Sequence, residues 1–188
     1  MSIQIGDRIP EVNIKRINDG IDTIDTHAFF EGKKMVLFSV PGAFTPTCSE
    51  KHLPGFIENF EAFRAKGVGV ACMSVNDPFV MKAWAASQNA PADMEILADG
   101  NADFAKALGL EMDASAYGMG IRGKRFALYL EDGVVKKLEV EAPGEFRGKC
   151  EKCGLGLAAG LALAAALRPA IAADHVAEIP FLPGEKWW

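Results

Sequence analysis

The chain has 188 residues, 49% of them hydrophobic and 24% charged, which is typical of one soluble globular domain with a sizeable core. Its formal net charge at pH 7 is −5, and it has no cluster of Lys and Arg interleaved with aromatic residues, so we expect no nucleic-acid partner. Four cysteines are too few for a secreted disulfide scaffold and no signal-peptide pattern opens the chain, so we expect a cytoplasmic protein in a reducing compartment.

Hydrophobic periodicity and turn residues predict strands that alternate with helices. The first predicted elements, in chain order, are strands over 12–17 and 21–24 around the turn Asn18-Asp19-Gly20, a helical turn over 26–30, a buried strand over 35–40 and a helix over 46–66. Pro54 should kink this last helix and Gly67 should end it.

The elements that follow complete an alternating pattern. They are a buried strand over 68–75, a helix from 78 to about 88 after the turn Asn76-Asp77-Pro78, a short strand over 95–98, a helix over 101–108 closed by Gly109, and a hairpin of strands 126–131 and 134–140 across Asp132-Gly133. This order predicts an α/β fold in which helices flank a central mixed sheet.

The sequence changes character after residue 146, so we predict one domain over 1–146 and an atypical tail over 147–188. The tail contains Cys150-x-x-Cys153, followed by an apolar run of 14 residues, Gly154–Leu167. A straight membrane-spanning helix needs about 20 residues, so we expect no membrane partner. Two interpretations stay open: an aberrant C-terminus, and an ordered helix packed on the core or on a partner.

Cys48 stands where the local structure can activate a thiol. The predicted strand 35–40 leads through a Pro/Gly turn into a helix with Thr45 as its N-cap and Pro46 as its first residue. The Cys48 sulfur would then lie among unpaired backbone N–H groups, at the positive end of the helix dipole. This environment favours the nucleophilic thiolate. The alternative is a buried cysteine that only fills space beside the helix start.

Three blocks of the sequence resemble the peroxiredoxins. Pro41-x-x-x-Thr45-x-x-Cys48 matches their active-site motif, and the longer run VPGAFTPTCSEKHLPGF is similar to the Prx5 type, also called type II. The blocks SVNDPFVMKAW, over 74–84, and KRFALY, over 124–129, follow in the family's order. The resemblance covers roughly residues 3 to 146. It implies a thioredoxin-like fold, a homodimer, and a thiol peroxidase that reduces hydrogen peroxide and alkyl hydroperoxides.

The resemblance also implies roles for four residues. Cys48 would attack the peroxide and become a sulfenic acid. Thr45 would hold the peroxide by its hydroxyl, Arg125 would supply positive charge, and Pro41 would shield the sulfur from water. Taken singly, the last three have simpler interpretations: a helix cap, a solvated charge and a turn. Because His52 lies one helical turn after Cys48, a Cys–His ion pair is a further alternative. The reacting atom would be the Cys48 sulfur, so no metal or prosthetic group is expected as a cofactor.

The route by which Cys48 is reduced again stays open. Some Prx5-type proteins use a second, C-terminal cysteine, and Cys150 or Cys153 falls near that position. Other members are reduced by glutathione, glutaredoxin or thioredoxin, and we favour glutathione or a glutaredoxin. Cys72 lies in the apolar strand VGVACMSV and is expected to be a core thiol, although some relatives carry a cysteine there too. The CxxC spacing suits zinc but two further ligands are missing, so we expect no metal.

Two other functions compete with the peroxidase. One is a thiol–disulfide oxidoreductase that uses Cys150 and Cys153. The other is a redox-sensing or chaperone-like binding protein, in which oxidation of Cys48 changes a surface that a partner recognises. Oxidation by peroxide at a rate far above that of a free thiol would separate the peroxidase from both alternatives.

Overall fold

A seven-stranded mixed sheet forms the centre of the computed structural model, which describes residues 1–17 and 20–141. Glu111–Asp113 and Ile121–Gly123 form a second, two-stranded sheet. The strands in chain order are β1 (Asn13–Ile17), β2 (Ile21–Asp25), β3 (Lys34–Val40), β4 (Gly69–Ser74), β5 (Glu95–Ala98), β6 (Glu111–Asp113), β7 (Ile121–Gly123), β8 (Phe126–Glu131) and β9 (Val134–Val140).

Helices cover both faces of the large sheet. They are α1 (Thr26–Phe30), a π-helical segment (Cys48–His52), α2 (Leu53–Glu58), α3 (Phe60–Arg64), α4 (Pro78–Ser87), α5 (Asp103–Ala107) and a 3₁₀ turn (Ser115–Tyr117). No helix among these described residues is long and apolar enough to cross a membrane. The same residues bring together no group of three or more His, Cys, Asp or Glu that could hold a metal ion.

The strand order of the large sheet is β2-β1-β5-β4-β3-β8-β9. The central pairs β3–β4 and β4–β5 are parallel, whereas the outer pairs are antiparallel. Because successive side chains of a strand point to opposite faces, β3 supplies both cores. Phe38 packs in one core with Phe56 and Trp84, and Leu37 packs in the other with Phe104. This explains why residues 35–38 and 40 of the strand are all apolar, and the strand order confirms the predicted mixed sheet.

Most of the predicted elements are present. The two predicted hairpins form, and the helical turn, the two buried strands and the short strand lie within two residues of their expected bounds. Helix α4 begins after Asp77, whose carboxylate caps it. At the second hairpin, Asp132 and Gly133 both have positive φ, as the two-residue turn requires. Residues 18 and 19 of the first turn lie outside the described residues.

The prediction of one continuous helix over 46–66 is wrong. The chain forms a π-helical segment, then α2, then α3 after a break at Asn59. Pro54 has no N–H to donate to the Glu50 carbonyl, and the N–H of Leu53 instead reaches the Cys48 carbonyl, five residues back. A second difference is that α5 starts at Asp103 rather than 101, because Ala102 has a left-handed backbone with φ of 60°. The hairpin of β6 and β7 was not predicted.

Candidate active site

The turn after β3 leads directly to Cys48. Pro41 is buried, and the Ser49 N–H donates to the Thr45 carbonyl at 3.0 Å, which makes Thr45 the N-cap that the sequence predicted. The Thr45 hydroxyl, however, donates to the Gly42 carbonyl at 2.8 Å. Cys48 is fully buried at the start of the π-helical segment. The strand, turn and helix start therefore stand as expected around the thiol.

Arg125 lies beside the Cys48 sulfur. It immediately precedes β8, and β8 pairs with β3, the strand that leads to the cysteine. Both its Nη1 and Nη2 donate to the Cys48 Sγ at 3.6 Å. Only 5% of Arg125 is exposed, so the alternative of a solvated charge at a strand end is wrong. The buried guanidinium therefore places a permanent positive charge directly beside the thiol.

His52 contacts the same guanidinium. Its Nδ1 lies 2.7 Å from Arg125 Nη1, and because an arginine only donates, Nδ1 accepts and the ring proton sits on Nε2. Burial and the charge of Arg125 lower the pKa of His52 to about 3. The imidazole is therefore neutral near neutral pH, which argues against the Cys48–His52 ion pair. Its Nε2 is buried and has no hydrogen-bond partner among the described residues.

Glu141 completes the contacts of Arg125 and was missed from the sequence. Its Oε2 lies 3.0 Å from Arg125 Nε, and its N–H donates to the Arg125 carbonyl at 3.0 Å. No local signal gives this contact, because a β-bulge between Tyr129 and Leu130 shifts the hairpin register, so that Phe126 pairs with Val140 and Glu141 comes opposite Arg125. With Glu141 on Nε and the sulfur on the two Nη atoms, the guanidinium has a fixed orientation.

Cys72 has different surroundings from Cys48. It is a fully buried free thiol in the middle of β4, where it pairs with Phe38 and Ile96. Burial raises the pKa of Cys72 well above its usual value, and the neighbouring Cys48 raises it further. These surroundings match the predicted core thiol. The other two candidate resolving cysteines, Cys150 and Cys153, lie outside the described residues, as does the predicted domain limit at 146.

Comparison with known proteins supports the resemblance. The Redoxin family model matches residues 4–149. Peroxiredoxin-2B of Arabidopsis thaliana is 48% identical over 147 residues, which are 77% of this chain and 91% of that protein. The crystal structure of reduced Prx3 from Vibrio vulnificus in complex with H2O2 is 49% identical, with a TM-score of 0.73 over 77% of this chain and 92% of that one.

A third relative extends the match to the Prx5 type. The crystal structure of peroxiredoxin 5 from Alvinella pompejana is 35% identical, with a TM-score of 0.68 over 74% of this chain and 90% of that one. The mixed sheet and these neighbours define a thioredoxin-like redox protein. The chain belongs to the Redoxin family, in which it is a type II peroxiredoxin and hence a thiol-dependent peroxidase.

Proposed function

We propose that the protein reduces hydrogen peroxide and alkyl hydroperoxides at Cys48. The observation that carries this proposal is the pair of 3.6 Å contacts from Arg125 Nη1 and Nη2 to the Cys48 sulfur. Hydrogen peroxide is present in the structure of the Vibrio vulnificus relative, which supports the same class of substrate here. The alternative of a redox-sensing binding protein does not need a cation held in this orientation.

The proposed reaction is a displacement at oxygen. The Cys48 thiolate attacks one peroxide oxygen, an S–O bond forms and the O–O bond breaks. Sulfur loses two electrons and becomes a sulfenic acid, while the second oxygen leaves as hydroxide or alkoxide. The leaving oxygen takes up a proton, so that the products are the sulfenic acid and water or an alcohol.

The surrounding groups are suited to the charge that develops in this step. Arg125 faces the sulfur and would also stabilise the leaving oxygen, together with backbone N–H groups at the helix start. The Thr45 hydroxyl donates a hydrogen bond to the Gly42 carbonyl, so its oxygen can accept a hydrogen bond from a peroxide O–H. Pro41 is buried beside this turn, where we propose that it limits the access of water.

Stopped-flow oxidation by hydrogen peroxide tests the proposal. We expect the reduced protein to react far faster than free cysteine under the same conditions, and equally fast after Cys72→Ala. A protein that reacted no faster than free cysteine would have no activated thiol, and the proposed function would be wrong. Turnover with an alkyl hydroperoxide in place of hydrogen peroxide tests the second class of substrate.

For recycling, we propose that glutathione or a glutaredoxin reduces the Cys48 sulfenic acid. Cys72 is a poor resolving thiol because burial raises its pKa and disfavours its thiolate. We expect turnover with glutathione plus glutaredoxin to exceed turnover with thioredoxin. Mass mapping that found Cys48 bonded to Cys150 or Cys153 in most peroxide-treated molecules would show an internal route instead.

We also propose a homodimer that covers the apolar edge around the active-site turn. Phe44 in this turn is 56% exposed, and Phe79, at the start of α4, is 63% exposed. Met119 packs beside Gly42, and Tyr117 and Ile121, two residues before and after it in the sequence, are also exposed. A second copy of the chain would bury these groups. Sedimentation at micromolar concentration should show a dimer that Phe79→Glu weakens, and a strict monomer would contradict the proposal.

A further inference from the structure

Asn76 fixes the turn that carries Thr45. It follows β4, and its Oδ1 accepts the Ala43 N–H at 2.9 Å and the Ser74 hydroxyl at 2.7 Å. A backbone N–H only donates, so the atom that faces Ala43 is the amide oxygen. Ser74 is fully buried, which gives this oxygen a rigid support. One amide oxygen therefore ties the active-site turn to the carboxyl end of a central strand.

The turn needs such a tie because its backbone is strained. Gly42 to Thr45 form a β-turn that the Thr45 N–H closes on the Gly42 carbonyl at 3.4 Å. Phe44 has φ of 62° and Ala43 has no positive φ, which is the type II pattern. Type II turns favour glycine at the position of Phe44, so a phenylalanine there persists only when surrounding contacts hold the turn.

Contacts on the other side of the turn limit how it can move. A Cβ on Gly42 would lie 3.2 Å from Thr45 Cγ2 and 3.3 Å from Met119 Cε, so the turn is closely packed there. The Arg122 Nη1 donates to the Val75 carbonyl at 2.6 Å and thereby fixes the residue before Asn76. A shift of Ala43 would therefore be passed on to Thr45, whose hydroxyl and N–H both bond to Gly42.

We propose that Asn76 is a positioning residue for the peroxidase reaction. Its Oδ1 holds Ala43, and through the type II turn it sets where the Thr45 hydroxyl stands relative to the Cys48 sulfur. Asn76 acts through Thr45 and does not itself touch the peroxide. This inference rests on the proposed function, because it assigns Thr45 the task of orienting the substrate.

The first test compares two reactions of the same thiol. Asn76→Ala should slow the oxidation of Cys48 by hydrogen peroxide about 100-fold, the loss expected when a reacting group is misplaced by about 1 Å. Alkylation of Cys48 by iodoacetamide needs the thiolate and access to it but no oriented peroxide, so its rate should not fall. Asn13→Ala, at an exposed asparagine that begins β1, is the matched control and should leave both rates unchanged. Equal losses in both reactions would indicate a general structural defect and overturn the proposal.

The second test asks whether Asn76 acts through Thr45. In a Thr45→Val background, Asn76→Ala should cause no further loss of peroxide reactivity, whereas independent effects would multiply. Ala43→Pro gives a separate check, since proline suits this position of a type II turn but removes the N–H that Asn76 accepts. It should reproduce the loss caused by Asn76→Ala, and it keeps the proposal testable if that variant does not fold.

The outcomes separate this inference from the proposed function. A wild-type protein no more reactive than free cysteine contradicts the proposed function itself. The role of Asn76 alone is contradicted if the wild type is reactive and both Asn76→Ala and Ala43→Pro are fully reactive. It is also contradicted if the rate losses of Asn76→Ala and Thr45→Val multiply in the double variant.

Discussion

Cys48 and Cys72 are two free thiols of the same core, and neither has any exposed surface. Cys72 lies in the middle of β4 between neighbouring strands, and burial raises the pKa of its thiol. Cys48 lies at a helix start and receives two contacts from the guanidinium of Arg125. Burial is therefore common to both cysteines, and the difference between them is a cation held against one sulfur.

If Cys48 is the peroxidatic thiol, as proposed, this difference makes exposure alone a poor guide to a reactive cysteine. A thiolate in an apolar interior is unfavourable unless a partner offsets its lost hydration. Around Cys48 the chain provides that partner and also fixes it, since Glu141 binds the Nε of Arg125 and His52 accepts from its Nη1. Cys72 is equally buried, but no hydrogen bond or ion pair among the described residues brings a cation to its sulfur.

The largest effect on the rate of peroxide turnover is expected when each of the two cysteines is replaced in turn. Cys48→Ser should lower the rate of peroxide turnover by about 10³-fold or more, because a hydroxyl is a far weaker nucleophile near neutral pH. Cys72→Ala should keep the wild-type rate of the first oxidation. Stopped-flow kinetics of both variants, with circular dichroism to confirm folding, makes the comparison. Retained turnover in Cys48→Ser would remove the distinction between the two cysteines.

A smaller loss is expected when the cation keeps its charge but loses its shape. Arg125→Lys should slow sulfenic acid formation about 10- to 100-fold, because an ammonium cannot place two N–H groups on the sulfur while it binds His52 and Glu141. Arg16→Lys, at an arginine that pairs with Asp22 and Glu95 far along the sheet, is the matched control. An unchanged rate in Arg125→Lys would mean that charge alone distinguishes Cys48 from Cys72.

The smallest effect concerns stability. The pKa of His52 is about 3 in the folded protein, against about 6.5 for an unfolded histidine. Between these values only the unfolded chain takes up the proton, so the stabilising share of His52 is fully present above pH 6.5 and is lost as pH falls. The free energy of unfolding should therefore drop by about 1 kcal/mol per pH unit from this group.

His52→Gln provides the check, because glutamine can accept from Arg125 but does not titrate. Urea unfolding at several pH values between 4.5 and 6.5 should show a shallower dependence for the variant than for the wild type. Identical slopes would show that His52 is protonated in the folded protein, and Arg125 would then lack one of the groups that fix it.

Much of the fold was accessible from the sequence because strong local signals coincide with tertiary structure. Continuous apolar runs predicted the central strands, and Asp132-Gly133 predicted the second hairpin. At the site, the motif with Pro41, Thr45 and Cys48 gave the turn and the helix start. The short β6–β7 hairpin was missed because three-residue strands have little periodicity of their own.

The contacts that distinguish Cys48 were less accessible, since they join distant parts of the chain. Arg125 was assigned by resemblance, but its burial depends on how β8 pairs with β3. Glu141 was missed because its proximity to Arg125 follows from the register of β8 and β9 rather than from any local pattern. The π-helical segment, likewise, combines the known effect of Pro54 with packing that no short window of sequence reveals.

The role of Arg125 beside Cys48 is tested most directly by finding which sulfur a single equivalent of hydrogen peroxide oxidises. The reduced protein would be treated with one equivalent of hydrogen peroxide, trapped at once with a reagent specific for sulfenic acids, and analysed by peptide mass mapping. The label should lie on Cys48 in nearly all labelled molecules, and Arg125→Lys should lower its yield at short times. A label mainly on Cys72, Cys150 or Cys153 would contradict the claim that Arg125 makes Cys48 the reactive thiol.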